Sequence, residues 1–497
     1  MKFRLLFFIL SILLIGCKST KEITKPFVPT FTISKETTHK IPEGQVYTFG
    51  YLEVLENRFK PNGNKIQLPV YIFKSSNKNP KKDPIIYTVG GPGYSTMRTA
   101  QYMKYYTYLD DRDFILFEQR GTQYAQPSLD CPEWSKAIYL SQLPGYRGKK
   151  EDSLLNDAVL KCKTRLLKKG IDLNAYNTHE IASDIEDLRK VLKIEQYNLL
   201  TISYSTKIAQ VLLRDFPQAI RSVVMDSPLP LEVTYDEVSV ENLLDVAAKL
   251  LSDCELDEKC NKAFPNIKKR FFTYLKEKTE NPLLVEIENP TNGNLETFYL
   301  KGKDLMSVFT SASTGSIANV PFELEKLLNN DLSTLKEELL SIFKKPAAYN
   351  GYGMGMRLSV WCAEEYPFAS QKTIESESKK HPQTKGLSPA VFESNICKLW
   401  DVKKVGSIEN KAVISNKPVL LISGAYDYET PLKWANAMQK NLPNSFHLIF
   451  KGWTHTPTTY WSNPCAMEAA NVFFNHPEKL PNLECLKNLK PPKFKTD

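Results

Sequence analysis

From Pro84 to Phe450, short apolar runs of β character alternate with amphipathic helical stretches. The alternation breaks once, between about Pro230 and Asn410, and resumes at Lys417-Pro418-Val419-Leu420-Leu421. A strand that returns through a helix pairs in parallel with its predecessor, so the pattern predicts an α/β fold: a mostly parallel sheet with helices on both faces. The runs are Tyr47 to Leu55, Ile66 to Phe73, Pro84 to Val89, Phe114 to Phe117, Tyr197 to Ile202, Ser222 to Met225, Val419 to Ile422 and Phe446 to Phe450. The first two are expected to open the sheet as an antiparallel pair. One helix is expected from about Ile181 to Leu192, where Ile181, Ile185, Leu188, Val191 and Leu192 share a face. Another follows Ser203, with Ile208, Val211 and Leu212 facing inward, and stops before Pro217. The interrupting span carries amphipathic stretches such as Glu241 to Leu251 and Leu332 to Phe343, and it reads as a large helical cap over the carboxyl ends of the strands. The expected organisation is a leader over 1–16, a tether over 17–40, core over 41–230, a mainly helical cap over 231–410 and core again over 411–497.

The amino terminus, MKFRLLFFILSILLIGCKST, sets Lys2 and Arg4 ahead of an apolar run from Leu5 to Ile15 that is too short to span a bilayer, as in an export signal. It ends in Leu14-Ile15-Gly16-Cys17, which resembles a bacterial lipobox. Cys17 is therefore the expected lipidation site, and the chain is expected in a bacterial cell envelope, lipid-anchored on a periplasmic or extracellular face. The polar stretch from Lys18 suits a tether. Setting Cys17 aside from the nine cysteines leaves Cys131, Cys162, Cys254, Cys260, Cys362, Cys397, Cys465 and Cys485. An even number in an exported chain argues for disulfides, and their succession as four local pairs points to sequential pairing. No C-x-x-C or histidine-rich spacing suggests zinc. The formal charge of +9 falls to +7 without Lys2 and Arg4. That excess is spread out, with no basic stripe interleaved with aromatics, which argues against a nucleic-acid partner.

Ligands of open α/β sheets sit at the carboxyl ends of strands, and four strand ends hold residues that could carry chemistry. After Val89 comes Gly90-Gly91-Pro92-Gly93, where adjacent glycines let the backbone turn and present N–H groups to a ligand. After Ile202 comes Ser203, raised on a sharp turn at the positive end of a helix, with the N–H of Tyr204 placed to donate to a developing oxyanion. Such an elbow needs small residues two positions either side, and Thr201 and Ser205 are small without being glycine. After Ser423 comes Gly424-Ala425-Tyr426-Asp427, and after Phe450 comes Lys451-Gly452-Trp453-Thr454-His455. Taken singly, each has a plain structural reading: a helix-capping serine, a turn aspartate, a loop histidine. Together they stand in the order Ser203, Asp427, His455, with the cap between the first two, which is the chain order of a strand-borne Ser-Asp-His triad. His455 would take the proton from Ser203, and Asp427 would orient the imidazole. Asp226, which also ends a strand, is the rival acid.

At these residues the sequence resembles the prolyl aminopeptidase and tripeptidyl aminopeptidase branch of the α/β-hydrolases. The matching stretches are Gly90-Gly91-Pro92-Gly93, Phe117-Glu118-Gln119-Arg120-Gly121-Thr122, Ser203-Tyr204 with Thr206, Gly424 with Asp427 and Thr430-Pro431, and His455. Cys131, the close pair Cys254 and Cys260, and the late pair Cys465 and Cys485 also resemble that branch. The departures are Val89 where the family commonly has histidine, Glu118 where aspartate is usual, and Gln123, Thr201, Ser205 and Thr454 where glycine is usual. None removes a group that does chemistry, and restoring glycine at Thr201 and Ser205 is expected to keep or raise activity. Arg120 is expected to brace the loop under the Gly-Gly-Pro-Gly turn.

An exopeptidase must also hold a free α-ammonium group, which needs a carboxylate when buried. Glu364 and Glu365, in GMGMRLSVWCAEEYPF, are the candidates, held rigid by a Cys362–Cys397 disulfide; their plain reading is two solvated glutamates on a helix. The resemblance thus implies a serine aminopeptidase acting on short peptides with a free amino terminus, and the amino-terminal segment adds the expectation of a lipid anchor. Its triad would be Ser203, Asp427 and His455, its oxyanion hole the N–H groups of Gly91 and Tyr204, and it would need no cofactor or metal. An esterase or other acyl hydrolase with the same triad, and a non-catalytic binding protein on the same fold, are the alternatives.

Overall fold

The computed structural model describes residues 27–146, 149–344, 351–387, 391–392 and 394–497. The expected leader over 1–16 and Cys17 lie outside them. Eleven strands occur among the described residues: β1 (Thr30–Ile33), β2 (Tyr47–Leu55), β3 (Lys65–Phe73), β4 (Lys81–Thr88), β5 (Arg112–Phe117), β6 (Tyr197–Ile202), β7 (Ile220–Asp226), β8 (Leu283–Glu288), β9 (Leu295–Leu300), β10 (Val419–Gly424) and β11 (Ser445–Phe450). Nine of them form one sheet in the order β1-β2-β3-β5-β4-β6-β7-β10-β11. β1, β2, β3 and β5 pair antiparallel in succession, and every pairing from β5 to β11 is parallel. β6 and β10 are buried at every position. This is why they read as unbroken apolar runs: helices cover both faces.

The helices begin and end where side chains can satisfy their open backbone groups. Asn177 accepts from the N–H of Glu180 at 2.9 Å, so the helix expected from Ile181 starts earlier and runs Thr178–Val191. The helix after Ser203 runs Ser205–Asp215, stopping ahead of Pro217, and buries Ile208, Val211 and Leu212 as expected.

Two boundaries differ from the sequence reading. The expected tether over 17–40 joins the sheet from Thr30 onward: Thr30–Ile33 pairs antiparallel with Tyr51 and its neighbours, and Phe31 packs against the core. Gly50 makes room for this edge strand, since a Cβ there would lie 2.4 Å from the carbonyl oxygen of Thr32. The cap expected over 231–410 is two things. From Val240 to Phe343 it builds its own apolar core, which includes the antiparallel pair β8 and β9, whose buried Leu283, Val285 and Ile287 alternate with exposed neighbours. From Met356 to Trp400 the chain packs back onto the main core through Leu358, Val360, Trp361 and Ile396.

The cap is fastened to the loops below it. Tyr426 is buried in the cap's core and its hydroxyl donates to Asp253 at 2.7 Å, while the N–H of Thr454 donates to the hydroxyl of Thr314 at 3.0 Å. The disulfides are sequential: Cys131–Cys162, Cys254–Cys260, Cys362–Cys397 and Cys465–Cys485.

Candidate active site

Ser203 leaves the end of β6 with φ of 55°, a left-handed conformation that a serine adopts only when its surroundings enforce it. They do so from three directions. The N–H of Ser203 donates to the carbonyl of Asp226 on neighbouring β7 at 2.9 Å, and its own carbonyl takes the N–H of Thr206 at 2.9 Å, starting the helix. Ser205, fully buried, accepts the N–H of Ile202 at 2.8 Å and sits 2.8 Å from the carbonyl of Thr88, to which it can donate. Ser205 is thus more than a small stand-in for glycine: its hydroxyl ties the elbow to the end of β4, which argues against the expectation that glycine there keeps or raises activity. Thr201 makes a weaker bond of the same kind, to the carbonyl of Val224 at 3.2 Å.

The loop after β4 lies on the elbow. A Cβ on Gly90 would sit 2.9 Å from the Cβ of Ser203 and 3.0 Å from the N of Tyr204, so only glycine fits. Gly91 takes a φ of 118°, open to glycine alone. Among the described residues no acceptor takes the N–H of Gly91 or of Tyr204. The loop's carbonyls are held from the far side: Arg357 donates to Gly91 at 2.7 Å and the Tyr352 hydroxyl to Pro92 at 2.6 Å. Glu118, fully buried, takes the N–H groups of Thr96 and Tyr124 and the hydroxyl of Ser95; burial raises its carboxyl despite these bonds. Arg120, by contrast, does not brace this loop. It is buried against Asp184, at 2.6 Å and 2.7 Å, and the carbonyls of Glu56 and Ala175, and so fixes the helix Thr178–Val191. Gln119 reaches the loop instead, donating to Val89 at 2.5 Å.

Asp427 and His455 meet across the ends of β10 and β11, with Nδ1 to Oδ2 at 2.8 Å. The carboxylate also takes the N–H groups of Glu429 and Thr430 and, at 2.6 Å, the hydroxyl of Thr430. Burial pushes Asp427 up, but the charge and hydrogen bond of His455, together with two hydrogen bonds from Thr430, more than offset this and hold it below the usual carboxylate range. Burial alone would lower His455; Asp427, Glu429 and Asp226 reverse that and push it up to about 9. With Nδ1 committed to Asp427, Nε2 is the nitrogen left to face a substrate. Asp226, the rival acid, serves the histidine loop instead: it takes the N–H of Thr458 at 2.8 Å and its hydroxyl, and burial pushes it up to about 7.

Glu364 and Glu365 are neither solvated nor available. Both are buried. Glu364 takes the N–H of Thr178 at 2.6 Å and its hydroxyl at 2.5 Å, and burial pushes it up to about 7. The Thr178 hydroxyl also lies 2.8 Å from that of Tyr204, so Glu364 supports the residue after the nucleophile from behind. Glu365 is ion-paired with buried Lys207 and takes the N–H of Tyr235. The sequence reading of these two as an ammonium site is therefore corrected: the oxygens of buried Glu364 are taken by Thr178, and the charge of Glu365 is taken by Lys207. Arg357 and Glu429 were missed. An arginine inside the apolar run Met354–Trp361 was a legible signal for the first; the second carried none beyond its place beside Asp427.

Residues 83–285 match the family described as "alpha/beta hydrolase fold", and residues 381–485 the family described as "TAP-like protein". The chain is 23% identical to the putative hydrolase YuaR of Escherichia coli (strain K12), over 97% of this chain and 96% of that protein. It is 29% identical to the tripeptidyl aminopeptidase of Streptomyces coelicolor over 36% of this chain and 34% of that protein. It is 21% identical to the serine protease Hip1 of Mycobacterium tuberculosis over 87% of this chain and 86% of that protein. Among solved structures it is similar to the proline iminopeptidase of Mycobacterium smegmatis, at 12% identity over 83% of this chain and 96% of that one, with a TM-score of 0.37.

Proposed function

Because the chain is an α/β-hydrolase of the TAP-like family and a serine hydrolase, we propose that it is an exported, lipid-anchored aminopeptidase that shortens peptides from their free amino end. The observation that carries the reading is the Asp427–His455 pair at 2.8 Å, delivered by β10 and β11, with only β7 between β10 and the strand that ends in a serine held at positive φ. In this reading Ser203 attacks the scissile carbonyl as neutral His455 takes its proton through Nε2. The N–H groups of Gly91 and Tyr204 receive the oxyanion, His455 returns the proton to the leaving amine, and water then releases the acyl group by the same relay. Asp427 fixes the imidazole's tautomer and offsets its charge. The cap limits entry to short peptides, and the likeness to a tripeptidyl aminopeptidase over part of the chain supports an exopeptidase over an esterase. The lipid on Cys17 would hold the enzyme at the membrane.

A fluorophosphonate probe should label Ser203, and Ser203→Ala should abolish both labelling and hydrolysis; an intact wild type that does not label would sink the mechanism. Free-amino peptides should be cut and their N-acetylated forms spared. Equal cleavage of both would replace the aminopeptidase reading by an endopeptidase or acyl hydrolase. Cys17→Ala should move the protein from the membrane to the soluble fraction, and no change in partition would count against the anchor.

A further inference from the structure

With Glu364 and Glu365 spent inside the fold, the site still offers a carboxylate that is half-exposed and that the triad does not use. Glu429 lies on the turn between Asp427 and Thr430, its N–H fixed on Asp427 Oδ1 at 3.0 Å. Its Oε2 is 3.8 Å from His455 Nε2, and the side chain is 45% exposed, so solvent and substrate can reach it. Among the described residues His455 is its only ion-pair partner, and no hydrogen-bond donor occupies its carboxylate. We propose that Glu429 receives the α-ammonium of the residue whose carbonyl Ser203 attacks, so that the enzyme releases one amino acid per cycle. This rests on the aminopeptidase reading and specifies its substrate.

The reach of a peptide argues for it. The attacked carbonyl carbon must lie beside Ser203 Oγ and Nε2, and its own α-nitrogen is two covalent bonds away, roughly 2.5 Å. A carboxylate within 4 Å of Nε2 is in range of that nitrogen. Were three residues released together, the ammonium would stand two residues further out, roughly 7 Å beyond, and Glu429 would face an uncharged peptide N–H. The charges agree as well. During acyl transfer the imidazole becomes cationic while a substrate ammonium sits close by, and a carboxylate next to both adds to Asp427 in offsetting their repulsion.

The test compares aminoacyl p-nitroanilides with the same acyl groups lacking the amine, at a pH high enough for His455 to be neutral in both proteins. Wild type should strongly prefer the free amine, and Glu429→Gln should shrink that preference roughly 10- to 100-fold, the range for a hydrogen bond to a charged group. Fluorophosphonate labelling of Ser203 would show the variant folded. Mass spectrometry of a hexapeptide digested by wild type should show single residues lost in turn. An undiminished preference in Glu429→Gln, or a tripeptide as first product, would overturn the proposal while leaving the aminopeptidase reading intact. A wild type indifferent to the amine would remove that reading, and the proposal with it.

Discussion

Replacing Ser205 by alanine removes one oxygen atom from a place water cannot reach. That oxygen accepts the N–H of Ile202 at 2.8 Å and faces the carbonyl of Thr88 at 2.8 Å, with Ser205 fully buried. Alanine takes away both the side-chain acceptor of the Ile202 N–H and the hydroxyl facing Thr88, two buried hydrogen bonds at about 1–1.5 kcal/mol each, for an expected total of about 2–3 kcal/mol. Glycine adds about 0.5–1 kcal/mol by freeing the backbone of the unfolded chain. An unfolding entropy of about 2.1 cal/mol/K per residue gives a chain of 497 residues roughly 1 kcal/mol/K. Calorimetry should therefore find Ser205→Ala melting about 2–3 °C lower and Ser205→Gly about 1 °C lower again. The lost bond sits one residue before the nucleophile, so part of the penalty should appear in the elbow. If half does, fluorophosphonate labelling of Ser203 slows roughly tenfold, at 1.4 kcal/mol per factor of ten. Variants that melt within half a degree of wild type and label at its rate would show that the hydroxyl is idle and that a glycine-like elbow was the right description.

Four further outcomes are expected. Asp427→Asn keeps the shape but loses the charge that fixes His455, so hydrolysis of an ester substrate should fall by about three to four orders of magnitude; a loss under tenfold would return the role to Asp226. Catalysis needs neutral His455, whose folded pKa is raised to about 9, so kcat/KM should climb about tenfold per pH unit below that value and level off above it; a limb centred near 6.5 would refute the coupling to Asp427 and Glu429. Lys207→Met strands buried Glu365 and should cost about 3–5 kcal/mol, with Lys207→Met plus Glu365→Leu recovering most of it in a thermal melt; additive losses would mean the pair is not coupled. Gly90→Ala would press a methyl group to within 2.9 Å of Ser203 Cβ, so labelling should be lost while the cap and its disulfide stay folded, as limited proteolysis would show.

The eight β runs visible in the sequence became eight strands of the sheet: β6 and β10 are apolar throughout because both their faces are buried, while β2 shows the alternation of a half-buried strand. β1 escaped notice because four residues with exposed threonines carry almost no burial signal, and what places them is pairing with β2. The hairpin of β8 and β9 was hidden because its period-two alternation lies within a span dominated by helical periodicity. The triad was legible for a topological reason: parallel strands all end on one side, so residues just past strand ends converge whatever their separation in the chain. Glu364 and Glu365 were misread because what decides a buried carboxylate's role is its partner. Thr178 and Lys207 lie 186 and 158 residues away in sequence, and no local pattern connects them.

The contacts of Tyr426 with Asp253 and of Thr454 with Thr314 bear on protein engineering. Caps on folds of this kind invite treatment as exchangeable modules, to be grafted for a new substrate range. Here a graft replacing the cap would delete Asp253 and Thr314 together, and with them the outer anchors of the two turns that deliver Asp427 and His455. A chimera would then lose turnover for reasons unrelated to its pocket. Recoding specificity in this enzyme therefore calls for a donor cap that carries an acceptor for Tyr426 and a hydroxyl for Thr454, or for point changes inside the cap that leave both in place.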